Sequence, residues 1–173
     1  MNRRNTIKHL FAASGALIAL PSWARGWTPE SFKTYRSSFS KAEQELLSAV
    51  VDTIIPAGNA IGAKSVGVDL FLQKLLDRCY EKEVQDNVKN QLKALETKAQ
   101  AGHQASYAAC PAMVREQLLL QFGASEVKEE KDFFTLIKSE TIRGFNTSEQ
   151  VMVNYLKYKV APGHYYGCVD VNA

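Results

Sequence analysis

The sequence is poor in the residues that bind metals and cofactors. Its 173 residues include only three cysteines and three histidines. A c-type haem needs a Cys-x-x-Cys-His motif and an iron–sulfur cluster usually needs four cysteines, whereas Cys79, Cys110 and Cys168 lie far apart in the chain. The tightly spaced glycines that follow a strand in dinucleotide-binding proteins are missing as well. The sequence therefore predicts no flavin, nicotinamide, haem or iron–sulfur site in this chain.

The globular part of the sequence also lacks an excess of charge. The formal net charge is +3, and Arg3, Arg4 and Lys8 account for all of it. Without this first segment the protein is close to neutral, which gives no electrostatic support for a nucleic-acid partner. Hydrophobic residues make up 46% of the chain and charged residues 23%, as in an ordinary globular protein of one domain.

The first apolar run is too short to anchor the chain in a membrane. It extends over the 11 residues from Leu10 to Leu20, whereas a membrane-spanning helix needs about 20. Arg3, Arg4 and Lys8 precede it, and Ala24 closes a stretch of small residues suited to a signal peptidase. The paired arginines resemble the twin-arginine export signal; an ordinary secretory signal that carries two arginines is the alternative. We expect cleavage after Ala24 and a periplasmic protein.

The rest of the chain carries apolar residues at helical spacing in five successive stretches. Each stretch is apolar on one side only, so the helices must pack together. The predicted fold is all-α, a compact bundle of about five to six helices with an irregular tyrosine-rich C-terminal tail. The predicted organisation is a signal peptide over residues 1–24, an N-terminal arm over 25–39 and a single helical domain over 40–173.

Residues that typically begin or end helices predict the helix boundaries. Helices are expected to begin at the capping box of Ser40 and Glu43, at Pro111 and, for one more short helix, at Thr147-Ser148-Glu149. Helices are expected to end at Pro56, at Gly102 as a C-cap, at Gly123 and before Gly144.

Histidine is too scarce to indicate a usual catalytic site. His9 lies in the predicted signal peptide, and neither His103 nor His164 has a second ligand at a metal-site spacing. The acidic residues around Glu129 alternate with lysines, which is typical of a solvated helix face. An enzyme acting through His164 and the nearby tyrosines would lack an orienting carboxylate. The sequence thus predicts no catalytic, cofactor-binding or metal-binding residue.

The C-terminal tail concentrates aromatic residues. Tyr155, Tyr158, Tyr165 and Tyr166 fall within twelve residues around Pro162-Gly163. Two interpretations stay open: the tail folds back over its own core, or its tyrosines contact a partner, where tyrosine is favoured.

Two blocks of the sequence resemble the gluconate 2-dehydrogenase subunit 3 family. The first comprises 46–61 with Gly62, Gly67, Asp69 and Phe71; the second comprises Phe133-Phe134, Gly144-Phe145, Thr147-Ser148-Glu149, Tyr158 and Pro162-Gly163-His164-Tyr165-Tyr166-Gly167-Cys168. The blocks stand near the two ends of the domain, in the family's order. From the second block and the tyrosine-rich tail we expect partner-binding residues at Tyr158, Pro162, Gly163, Tyr165, Tyr166, Gly167 and Cys168.

The resemblance implies a role in a complex. Family members accompany a larger FAD-containing subunit of the glucose-methanol-choline type, often with a multihaem cytochrome c. The expected protein is a small, non-catalytic subunit of a periplasmic dehydrogenase of gluconate or a related sugar, with FAD in its partner and haem c in a possible third subunit. It would lie at the inner membrane only through that complex. A stand-alone periplasmic binding module is the alternative.

The three cysteines leave at least one thiol unpaired, in a compartment where disulfides persist. Cys79 lies on the apolar stripe of the second predicted helix and Cys110 at the start of the fourth, so they are expected either to pair or to remain buried thiols. Cys168 lies near the tail and is expected to pair with a cysteine of the large subunit, or alternatively to close the tail onto Cys79 or Cys110.

Overall fold

The computed structural model describes residues 36–159, 161 and 163, and all of these except Arg36 belong to one compact unit. This part of the chain contains no β-strand, so the all-α prediction is correct. Its five α-helices are α1 Lys41–Ile54, α2 Val68–Cys79, α3 Lys82–His103, α4 Ala112–Gly123 and α5 Lys128–Asn146. Short helical turns lie between α1 and α2 at Lys64–Val66 and between α3 and α4 at Tyr107–Ala109. A turn with π-helical geometry follows α5 at Val151–Tyr155.

Helix α1 contacts all four other α-helices. Leu47, Val50 and Val51 on α1 are fully buried, and residues three and four apart lie on one helix face. The predicted capping box is present: the Glu43 N–H donates to Ser40 Oγ at 3.3 Å and the Ser40 N–H donates to Glu43 Oε2 at 2.8 Å. The predicted start of α1 is therefore confirmed.

The residues just before α1 pack on the domain. Ser37 Oγ and the Ser38 N–H both donate to Asp77 Oδ2, at 2.9 and 3.0 Å. Phe39 is buried, and Lys89 Nζ lies 4.9 Å from the centre of its ring. Residues 37–39, which the sequence analysis placed at the end of the arm, thus contribute to the domain's surface and core.

The glycine predicted to cap α3 does not do so. Gly102 lies inside α3, and Gln104, with φ of 53°, adopts the left-handed conformation that ends it. Packing beyond the helix accounts for this difference, because Glu96 Oε2 accepts the Tyr107 N–H at 2.9 Å and the Tyr107 side chain is fully buried. The position of Tyr107 thus fixes where the chain must turn.

The end predicted before Gly144 is also wrong, since α5 continues to Asn146. Gly144 permits a close helix contact: a Cβ at this position would lie 2.8 Å from the Phe71 ring and 3.2 Å from Val68 Cγ1 on α2. An added methyl group would therefore overpack the contact between α2 and α5. The stops at Pro56 and Gly123 and the start at Pro111 agree with the structure to within about a residue or two.

Candidate functional site

The described chain beyond α5 forms a compact hydrogen-bonded turn. Thr147 Oγ1 donates to the Arg143 carbonyl at 2.8 Å and Ser148 Oγ donates to the Phe145 carbonyl at 2.7 Å. These side chains complete the end of α5, so they do not cap the next helix as predicted. The short helix itself is present as the π-helical turn Val151–Tyr155.

Backbone hydrogen bonds also close the far end of this turn. The Leu156 N–H donates to the Val151 carbonyl at 3.0 Å, and the Tyr158 N–H donates to the Met152 carbonyl at 2.9 Å. Lys157 between them has φ of 53°, a left-handed conformation that is uncommon for a residue with a side chain. The turn is therefore a defined structure held by its own backbone.

Four large apolar side chains of this turn face the solvent. Their exposed fractions are 52% for Val153, 54% for Tyr155, 60% for Leu156 and 53% for Tyr158. Val151 is buried and attaches the turn to the domain. In the rest of the described chain the large exposed hydrophobic side chains are scattered: Leu70, Met113, Leu120, Val127 and Ile142. We call the four residues 153, 155, 156 and 158 the C-terminal apolar strip.

Two cations flank the C-terminal apolar strip. Lys157 and Lys159 are exposed and form no ion pair with any described residue. Elsewhere on the domain some basic side chains do form such pairs, as Lys98 does with Glu130 at 3.0 Å. The strip therefore combines apolar surface with unneutralised positive charge.

Only part of the predicted partner-binding set lies in the described chain. Tyr158 is exposed on the C-terminal apolar strip, and Gly163 has φ of 78°, which favours glycine. Outside the described residues lie Pro162, Tyr165, Tyr166, Gly167, Cys168 and, at the other end, Arg3, Arg4, Lys8 and Ala24. The sequence did not predict the exposure of Val153 and Leu156, because a short, mainly apolar stretch is equally typical of a buried helix face.

The two described cysteines are in different environments. Cys79 and Cys110 are both free thiols, Cys79 exposed and Cys110 buried. Of the two expected alternatives, pairing with each other or burial as thiols, the buried thiol describes Cys110 alone, because Cys79 is the last residue of α2 and is exposed. A pairing of Cys168 lies outside the described residues.

A polar cleft of about 480 Å³ lies beside α1. Its principal charges neutralise each other, since Arg115 Nη2 lies 3.1 Å from Asp52 Oδ2. The buried Tyr107 hydroxyl lies behind it, 3.2 Å from both Thr53 Oγ1 and the Arg115 carbonyl oxygen. Burial raises the pKa of Tyr107 to about 12, so this phenol stays protonated and acts as a structural hydrogen-bonding group.

A second cleft, of about 530 Å³, lies between α3 and α5 and is lined by acidic side chains. Two of these pair with neighbouring lysines: Asp132 Oδ2 lies 3.1 Å from Lys128 Nζ, and Asp86 is bound by Lys82. No group of three or more histidine, cysteine or acidic residues in the described chain is placed to hold a metal ion. Among the same residues no helix is long and apolar enough to cross a membrane.

The geometry thus defines a helical domain whose most distinctive surface is suited to protein contact. The chain belongs to the gluconate 2-dehydrogenase subunit 3 family: the sequence profile described as "Gluconate 2-dehydrogenase subunit 3" matches residues 41–163. This range includes all five α-helices and the C-terminal apolar strip. No curated protein sequence and no solved structure gives a significant match.

Proposed function

We propose that this chain is the non-catalytic small subunit of an FAD-dependent dehydrogenase of the glucose-methanol-choline type, acting on gluconate or a related sugar. The observation that carries the proposal is the family match over residues 41–163, which spans nearly the whole described domain. In this proposal FAD belongs to the large subunit, and a third subunit, where one is present, carries haem c. The complex acts in the periplasm at the inner membrane.

The chemistry of the described residues supports the assignment of FAD to the partner. A dinucleotide site of the common type needs a glycine-rich turn between a buried strand and a helix, and residues 36–159 contain no strand. The two large clefts are lined mainly by charged and polar side chains, among them ion-paired Arg115, Asp52, Lys128 and Asp132. These residues do not fit an isoalloxazine ring. In our proposal FAD therefore belongs to the flavoprotein subunit, which this chain binds and stabilises.

The proposed role also has a thermodynamic basis. A partner that binds only the folded form of the flavoprotein shifts its folding equilibrium by mass action, by about 2.7 kcal/mol at a concentration one hundred times the Kd. Twin-arginine export carries proteins that fold before crossing, and a large flavoprotein must hold FAD by then. A small bound subunit with the export signal would therefore assist stability, maturation and export together.

Co-expression tests this function. Produced with the large subunit, this chain is expected to raise the FAD content and the dye-linked turnover of the flavoprotein above those of the flavoprotein produced alone. Purified without its partner, the chain is expected to show no flavin or haem absorbance and no turnover. Turnover by the isolated chain, or a flavoprotein with the same FAD content and activity in its absence, would contradict the proposal.

A covalent link between the subunits is a further part of the proposal. We expect Cys168 to form a disulfide with the large subunit, because it closes the family-like motif near the chain's end and the protein is destined for an oxidising compartment. Non-reducing electrophoresis of the native complex should show a reducible band at the summed mass. The band should vanish in Cys168→Ser and persist in Cys79→Ser, the matched control for an exposed cysteine. Subunits that separate freely without reductant would exclude the link.

A further inference from the structure

We infer that the C-terminal apolar strip is a docking site for the flavoprotein subunit and that it fits an apolar depression bordered by acidic side chains. This inference rests on the proposed function, which supplies the partner, and it adds residues 153, 155 and 156 and the charge of the opposing surface. The strip differs from the tail motif at 162–168, because all four of its residues precede that motif.

The density of exposed apolar side chains is the first observation behind this inference. Val153, Tyr155, Leu156 and Tyr158 fall within six residues, and each is more than half exposed. Single exposed apolar residues need no explanation, whereas a contiguous group of them marks an interaction surface. Tyrosines near the centre of such a group are favoured as binding hot spots. The matched family range extends through residue 163 and includes the strip.

The fixed backbone of the strip is the second observation. Hydrogen bonds from the N–H groups of Leu156 and Tyr158 to the carbonyls of Val151 and Met152 hold the turn, and buried Val151 attaches it to the domain. A surface that is ordered before binding loses less conformational entropy in the complex. The backbone that carries the strip is thus ordered before binding.

Charge identifies the kind of surface that the strip fits. Lys157 and Lys159 alternate with Leu156 and Tyr158 along the chain and have no carboxylate partner among residues 36–159. An opposing surface with aspartate or glutamate at its border would neutralise them, and such rim charges act mainly on the association rate and its salt dependence. An anionic membrane is a weaker fit, because two lysines and one short turn offer little of the basic, amphipathic surface that binds lipid.

The test compares two double variants in binding to the flavoprotein subunit separated from the native complex under reducing conditions. Tyr155→Ala/Leu156→Ala removes the middle of the strip, and Leu70→Ala/Met113→Ala removes two exposed apolar side chains elsewhere. Biolayer interferometry should give a Kd at least about tenfold higher for the strip variant and a Kd within about twofold of wild type for the control. Thermal unfolding should be similar in both variants, since all four side chains are about half exposed or more.

Charge neutralisation tests the acidic border. In Lys157→Gln/Lys159→Gln the association rate should fall at low salt and depend less on salt than that of wild type. Lys41→Gln/Lys131→Gln, which removes two exposed lysines from the helices, should leave the salt dependence unchanged. An equal salt dependence in all three proteins would exclude the acidic border.

The outcomes separate this inference from the proposed function. If wild-type chain does not bind the flavoprotein subunit, the proposed function itself fails. If it binds and the strip variant binds equally well, only the docking site is wrong. The site is likewise wrong if the strip variant loses only self-association, measured by sedimentation velocity, or only binding to phosphatidylglycerol vesicles, measured by flotation.

Discussion

Phe122→Ala is expected to lower the free energy of unfolding of the domain by about 3–5 kcal/mol. The Phe122 ring is fully buried on α4 and meets Phe133 of α5 edge to face, with ring centres 5.9 Å apart. Lys98 Nζ of α3 lies 4.2 Å from the centre of the same ring. One side chain therefore joins three helices, and its removal leaves a cavity that these helices cannot close without shifting.

The loss would be a large part of the stability of a typical domain, which is about 5–15 kcal/mol. Urea unfolding followed by circular dichroism measures it, with Met113→Ala as the control on the same helix. Met113 is 74% exposed, so its truncation should change the free energy of unfolding by about 0.5 kcal/mol or less. Comparable effects of the two substitutions would show that α4 does not pack through Phe122.

The helices were predictable because their buried residues recur at the right spacing. In α1 the residues Leu46, Leu47, Val50 and Val51 are all buried, and the pattern that they form in the sequence predicts this face. The capping box of Ser40 was predictable for a similar reason, since both of its hydrogen bonds join residues three apart. Local signals suffice where the structure depends on local contacts.

The helix ends predicted at two glycines are wrong, because distant contacts decide the roles of these residues. Gly144 resembles a helix stop in the sequence, but its missing side chain makes room for Phe71, which is far away in the chain. Gly102 resembles a C-cap in the sequence. In the structure Gln104 takes the left-handed conformation instead, three residues before the buried Tyr107. No single-sequence rule contains these pairings, because each depends on which helices become neighbours.

The proposed docking surface was predictable only in part. The tyrosines of the tail were compatible with a contact surface or with a tail folded over its own core, and Tyr158 is exposed. The exposure of Leu156 was not predictable, because the stretch from 151 to 156, apolar except for Asn154, gives no sign of which side chains the π-helical turn buries. Only Val151 is buried in that stretch. A regular α-helix there would be expected to bury residues three and four apart on one face, which the π-helical turn does not do.

Replacing Arg3 and Arg4 together with lysine is expected to block export of this chain and of the proposed flavoprotein partner almost completely. The substitution keeps both positive charges but removes the planar guanidinium groups and their fixed sets of donors, for which lysine is a poor substitute. An ordinary secretory signal needs only positive charge before its apolar run, so it would tolerate the change. The double substitution therefore separates the twin-arginine route from the ordinary one.

Cell fractionation with immunoblotting of both subunits measures this effect, and Arg25→Lys, just beyond the predicted cleavage site, is the matched control. In the double variant both subunits should accumulate in the cytoplasm, with dye-linked dehydrogenase activity retained there, because the domain that binds the partner is unchanged. The Arg25→Lys protein should be exported normally. Retention of this chain with normal export of the flavoprotein would show that the partner has its own signal, and continued export of both would exclude this chain as the carrier.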